Sequence, residues 1–78
     1  MKADRLNNLK AGEKACVYAL TSDEGIRRRL QDIGIVNGTK IECIGKSPLG
    51  DPTAYLIRGA VIALRSEDSS KILVNVWD

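Results

Sequence analysis

Apolar and polar residues alternate with a period of two along most of this chain, in short runs. Glu13–Leu20 alternates with Ala15, Val17 and Ala19 on one side and Cys16 and Tyr18 on the other, which predicts a first strand. Thr39–Lys46 predicts a second, with Thr39, Ile41 and Cys43 on one face and Lys40, Glu42 and Ile44 on the other. Thr53–Arg58 predicts a third, in which Tyr55 and Ile57 share a face. Ala60–Arg65 follows, with Ile62 and Leu64 inward, and Ile72, Val74 and Val76 alternate in a last strand. If those residues face the core, parity turns Leu56, Val61, Leu73 and Trp77 outward.

The period changes once. Ile26, Leu30 and Ile33 recur at i, i+4 and i+7, one face of a helix of about three turns. Thr21, Ser22 and Asp23 supply oxygens that can cap its start, and Gly34 stands where a left-handed residue ends it. Ala11-Gly12 and Asn37-Gly38 predict turns. Ser47–Pro52 predicts a loop, since two prolines and a glycine cannot sustain a ladder. Gly59 predicts a sharp corner, and Glu67–Ser70 a turn or a single helical turn. Met1–Asn8 is polar apart from Leu6 and predicts a short lead-in, with Leu6 and Leu9 against the edge of the domain. Five short strands, one helix between the first two and tight corners predict a mainly β fold, a small SH3-like barrel. An OB-fold would place the helix later in the strand order.

Length and composition sharpen this picture. Seventy-eight residues make one domain, 1–78, with a modest core, and an apolar share of 44% argues against disorder. Phenylalanine is absent, so branched aliphatics must build that core. The net charge of +2 is too weak to announce nucleic acid or an anionic membrane. No leader pattern and no span-length apolar run is visible, so a cytoplasmic protein without direct membrane insertion is expected. Without histidine, neither a Ser–His pair, nor a Cys–His pair, nor a facial triad for ferrous iron can form. Cys16 and Cys43 are too few for a structural zinc site, and parity sets them on opposite faces, against a disulfide. No enzyme, metal site or cofactor is expected.

Three blocks of residues resemble a known family. They are Arg28-Arg29-Leu30 with Ile33-Gly34-Ile35 and Gly38-Thr39-Lys40-Ile41, then Pro48-Leu49-Gly50-Asp51-Pro52, then Arg58-Gly59 with Ala63-Leu64-Arg65. In this order and spacing they are similar to ferrous iron transport protein A, the FeoA family, from about Leu6 to Val76. Ser47 departs from the alanine more usual there, a change expected to be neutral. The resemblance implies an SH3-like accessory protein of bacterial ferrous-iron uptake. Its implied partner is the ferrous iron permease, ferrous iron transport protein B, met at its cytosolic side. The protein would then be peripheral to the inner membrane through that partner. The same fold occurs in the C-terminal domains of iron-dependent repressors. The helix-turn-helix and dimerisation segments of those repressors are lacking here, so a stand-alone protein is expected.

The candidate contact residues are Arg27, Arg28 and Arg29 on the helix, Leu49, Gly50 and Asp51 in the loop, and outward Leu56, Val61, Leu73 and Trp77. Arginine forks suit carboxylates or phosphates, a rigid loop docks at little ordering cost, and contiguous exposed apolar residues mark interfaces. Each has a plainer reading. The arginines can form a solvated helix face with Arg28 paired to Asp32, the loop can merely join two strands, and the apolar residues can be covered by the helix or lead-in. Two rivals remain open beside the permease partner. One is a nucleic-acid-binding small barrel, disfavoured by the low charge and the few aromatics. The other is an interaction domain related to metal-dependent repressors. An exposed strand edge would also allow weak self-association.

Overall fold

Backbone pairing joins six strands into one antiparallel sheet in the computed structural model, which describes residues 2–21 and 23–77. The strands are β1 (Lys2–Arg5), β2 (Lys14–Leu20), β3 (Lys40–Lys46), β4 (Thr53–Ile57), β5 (Ala60–Leu64) and β6 (Ile72–Val76), and they lie in the order β1-β6-β2-β3-β4-β5. Helix α1 (Glu24–Asp32) falls between β2 and β3, and the single turn α2 (Ser66–Ser69) between β5 and β6. The mainly β architecture with its helix after the first alternating strand agrees with the sequence pattern. The strand count rises from five to six because the lead-in is itself a strand.

That extra strand, β1, runs Lys-Ala-Asp-Arg and pairs antiparallel with β6, Lys2 opposite Val76 and Arg5 opposite Leu73. Its side chains are mostly exposed, so it has no apolar alternation and is held by ladder bonds rather than by burial. It delivers Leu6 and Leu9 to the interior, where both are almost wholly buried rather than lying at an edge. A 3-10 turn over Leu6–Asn8 bends the chain between them.

Helix α1 starts at Asp23, whose Oδ1 accepts a bond from the Ile26 N–H at 3.2 Å. Ser22 lies outside the described residues. The helix ends in a paired closure: Gly34 N–H donates to Gln31 O at 3.0 Å and Ile35 N–H to Leu30 O at 2.9 Å. Gly34 supplies the positive φ, +96°, that this closure requires. The closure also corrects the expected core face. Ile33 is exposed, while Ile35, two residues beyond, is buried beside Leu30. The left-handed residue reverses the chain, so the apolar contact passes across the cap instead of along the helix.

A second correction lies in β2. Val17 pairs with Val74 but Ala19 pairs with Leu73, so Tyr18 is an extra residue in a bulge. Parity inverts after it, and Leu20 rather than Ala19 packs against the core. A third concerns Arg58, expected at the end of a strand. It has φ +51°, and with Gly59 at +83° it forms the two-residue turn closed by Ile57 opposite Ala60. At Asn37-Gly38 the turn is present, with the positive φ confined to Gly38.

Tyr55 is the aromatic at the centre of the core. It is fully buried, and its Oη donates to Leu6 O at 3.4 Å. Burial pushes its phenol above the ordinary 10.0, offset in part by the Ser69 and Thr53 hydroxyls. Cys43, its cross-strand neighbour, is likewise pushed above its ordinary 9.0 by burial. Cys16 is half-buried on the opposite face, and both thiols are free.

Two outcomes follow. Leu6→Ala, which opens a cavity under β1, lowers unfolding free energy by about 2–5 kcal/mol, whereas Leu49→Ala, at a side chain 94% exposed, changes it by less than about 0.5 kcal/mol; urea titration of both variants checks the contrast. The pH dependence has a definite sign. An unfolded chain releases the Tyr55 and Cys43 protons at lower pH than the folded one, so their contribution is complete below about pH 8 and is lost as pH rises toward the raised folded values. Urea midpoints should therefore fall between pH 8 and pH 11, and less steeply in Tyr55→Phe; an equal fall in that variant would remove Tyr55 as a source.

Candidate interaction surface

Register brings residues from four strands into one row across the outer face of the sheet. Lys14 stands opposite Glu42, Glu42 opposite Leu56, and Leu56 opposite Val61. Trp77 continues the row at the other end, its N–H donating to Lys14 O at 2.9 Å. Val61 is 66% exposed and Trp77 37%, while Leu56 and Glu42 are half-buried. The row thus reads aromatic, cation, anion, apolar, apolar.

A groove of about 380 Å³ runs over this row, walled by Lys14, Lys40, Glu42, Leu56, Arg58 and Trp77. Lys40 Nζ stands 5.4 Å from the centre of the Trp77 ring, a cation–π contact that covers the indole from one side. Arg58 closes the other end, its Nε donating to Gly34 O at 3.0 Å. With three cations and one carboxylate on its walls, the groove suits an anionic ligand that also carries apolar surface.

The remaining candidates lie elsewhere. Leu73 is four residues from Trp77 along β6, about 13 Å at the strand rise, and lines a separate depression with Arg5, Asn8 and Tyr18. At that depression Asn8 and the Arg5 N–H bond the exposed Asp4 carboxylate and hold it below the ordinary carboxylate value.

Consecutive helix positions diverge by about 100°, so the three arginines do not form one patch. Arg27 lies half-buried beside Leu20 and Gln31, and Arg28 is exposed. Arg29 Nη2 pairs with Asp68 Oδ1 at 2.6 Å, tying α1 to α2. That pair, rather than one between Arg28 and Asp32, is the ion pair of the described helix residues.

The loop after β3 is braced from within. Gly50 N–H donates to Ser47 O at 2.8 Å, Ser47 N–H to Pro52 O at 3.1 Å, and Ser47 Oγ to Asp51 O at 2.8 Å. The serine that departs from the usual alanine thus makes a bond alanine could not. The Asp51 carboxylate accepts from Ser66 N–H at 2.8 Å, satisfying a free donor at the start of α2. Leu49 stands clear at the tip, 94% exposed, and Gly50 beside it has φ +87°. The loop is at the far end of the β3–β4 hairpin from Arg58.

Parity therefore placed Leu56, Val61 and Trp77 on the outer face, and the register adds Lys14, Lys40, Glu42 and Arg58. Their polar alternation is visible in the sequence, but which strand lies beside which is not. Among the described residues no three Cys, Asp or Glu side chains converge to hold a metal ion, and no helix is long and apolar enough to cross a membrane.

Comparison with known proteins gives the geometry a context. The profile of the FeoA domain matches residues 5–76. A Fe(2+) transport protein A/Fe(2+) transporter FeoB fusion protein of Porphyromonas gingivalis is 33% identical over 72 residues, 92% of this chain and 8% of that protein. The chain thus spans less than a tenth of that relative's length. The solution structure of a FeoA-like protein from Clostridium acetobutylicum matches with a TM-score of 0.90 at 38% identity, covering 97% of this chain and 88% of that one. FeoA of Stenotrophomonas maltophilia, complexed with zinc and described as a procaryotic SH3 domain protein, matches with a TM-score of 0.79 at 25% identity, covering 91% and 88%. A manganese-dependent transcriptional repressor shares the fold at 19% identity, with a TM-score of 0.89 over 99% of this chain and 42% of that one. The SH3-like class expected from the strand pattern is the class of these neighbours.

The internal bracing has a measurable consequence. Asp51→Ala frees the Ser66 N–H and costs about 1–2 kcal/mol, while Asp51→Asn, which keeps an acceptor, costs less. Thermal or urea unfolding of the two variants checks the order; equal losses would mean that the charge rather than the bond holds the loop.

Proposed function

The chain belongs to the FeoA family, and from that premise we propose that it is an accessory protein of ferrous-iron uptake that docks on the cytosolic part of a ferrous iron permease. One observation carries this reading: in the Porphyromonas gingivalis relative a segment homologous to nearly all of this chain is joined to the Fe(2+) transporter in one polypeptide. Fusion holds two partners at high effective concentration, which benefits proteins that must meet. The outer groove supplies a surface suited to such a meeting, with apolar, aromatic and cationic side chains in one row. The reading assigns the protein no chemistry of its own. It modulates transport by binding.

Isotope-labelled protein titrated with the permease's cytosolic G-protein domain, with and without nucleotide, tests this. Amide shifts confined to Lys14, Glu42, Leu56, Val61 and Trp77 and their strand neighbours are expected, and they should weaken as salt is raised. Absence of shifts in every nucleotide state, together with normal ferrous-iron import in a deletion strain, would end the proposal.

A further inference from the structure

The sheet has two free edges, and they are built differently. The edge strand β1 carries Lys2, Asp4 and Arg5 among its four residues, the charged pattern that discourages another strand from pairing. The opposite edge, β5, is Ala-Val-Ile-Ala-Leu, with no charge and no proline, and among the described residues it pairs with β4 alone. The tight turn at Arg58-Gly59 fixes which backbone groups of β5 are spent. In a two-residue hairpin the closing pair exchanges both ladder bonds, and bonded and non-bonded pairs then alternate. With Ile57 opposite Ala60, the bonded residues of β5 are Ala60, Ile62 and Leu64. Val61 and Ala63 therefore direct their N–H and C=O away from β4, toward the open edge, and both residues are exposed.

Charge decides what can take that edge. Arg58 lies just before β5 and Arg65 just after it, both exposed. If a second copy paired antiparallel about Ile62, Arg65 of each chain would stand opposite Gly59 of the other and Arg58 opposite Ser66, so each end of the paired strands would gather one Arg58 and one Arg65. A second copy thus adds cations to cations at both ends and offers neither arginine a counter-charge. A segment with acidic residues at its two ends would instead place a carboxylate at each arginine.

We propose that β5 accepts an extended segment of a partner protein as a seventh strand, and that this segment is apolar at its centre and acidic at both ends. This deepens the docking reading above and rests on it. Backbone bonds to Val61 and Ala63 hold the segment. Partner side chains opposite these two residues lie on the outer face and prolong the row that ends at Leu56 and Val61. Ala63 is small and leaves room for a larger neighbour. The partner side chain opposite Ile62 points to the other face, beside a half-buried isoleucine packed on the core, and is apolar. Gly59 to Arg65 spans about 20 Å at the strand rise, so the bound segment is about six residues long.

Proline at position 63 separates this mode from docking elsewhere. Ala63→Pro removes one edge donor, while the N–H it deletes is not used by β4, the one strand position where proline is tolerated. Affinity for the permease's cytosolic domain is measured by calorimetry for the unsubstituted protein, Ala63→Pro and Arg65→Glu, with amide spectra confirming the fold. A loss of about tenfold or more in Ala63→Pro and a several-fold loss in Arg65→Glu is expected, along with slowed amide exchange at Val61 and Ala63 in the complex of the unsubstituted protein. If the proline variant does not fold, Ala63→Lys keeps the N–H, adds the kind of charge that guards β1, and should weaken binding likewise. Undiminished binding by a folded variant overturns the edge proposal and leaves the docking reading standing. Failure of the unsubstituted protein to bind overturns both.

Discussion

The structure depends on one buried phenol. A sheet of six short strands built without phenylalanine must fill its centre with aliphatic side chains, and Tyr55 is the largest side chain buried among them. From β4 the ring sits beside Cys43 of β3, and its hydroxyl reaches the Leu6 carbonyl where β1 turns into the interior. The Ser69 side chain of α2 is buried close to it. One side chain thus joins the middle of the sheet to both segments that close its ends. Burial of the hydroxyl is tolerated because it keeps an acceptor, and a buried polar group without one would cost about 1–3 kcal/mol. The aliphatic residues around it each contribute by removal from water, about 1.5–3 kcal/mol for a fully buried leucine or isoleucine.

Much of this was legible in the chain because its strands are half-buried. Alternation in β2, β3, β4 and β6 marks a wet and a dry face directly, and Asp23 and Gly34 bracket the helix by cap chemistry that depends on neighbours alone. The failures share a cause. Lys2–Arg5 has no apolar face, so nothing local distinguishes it from a tail; it is a strand because β6 offers it a ladder. Tyr18 breaks the parity of β2 without a glycine or proline to announce it. Ile33 continues the helical spacing, but the left-handed residue after it redirects the chain and Ile35 takes the core position.

The interaction surface divides in the same way. Parity identifies which side chains leave the core, so Leu56, Val61 and Trp77 could be read from the sequence. Adjacency across strands is a tertiary fact, and the row from Trp77 through Lys14 and Glu42 to Val61 exists only once β2, β3, β4, β5 and β6 are in register. The arginine run misled for the opposite reason. It is contiguous in sequence, but the helix scatters it, and Arg29 is engaged with Asp68 at 2.6 Å. Asp51 likewise faces inward to the Ser66 N–H, while Leu49 projects from the loop tip.

Arg58 shows how the backbone sets the site before any partner arrives. It occupies the left-handed region at φ +51° because the two-residue turn between β4 and β5 needs positive φ at both positions. A non-glycine residue bears that conformation at a cost, so the side chain should have a role, and two are visible. Its Nε donates to Gly34 O at the end of α1, where the unsatisfied carbonyls of a helix favour a cation. Its stem also forms one wall of the groove. Gly34 is needed twice for this arrangement, for its own φ of +96° and because a Cβ there would come within 3.0 Å of Arg58 Cδ. The helix closure, the hairpin turn and the charged wall of the groove are therefore one unit, fixed in the same fold that fills the core. A partner meeting this face meets a guanidinium already held in place, and less ordering is left to oppose binding.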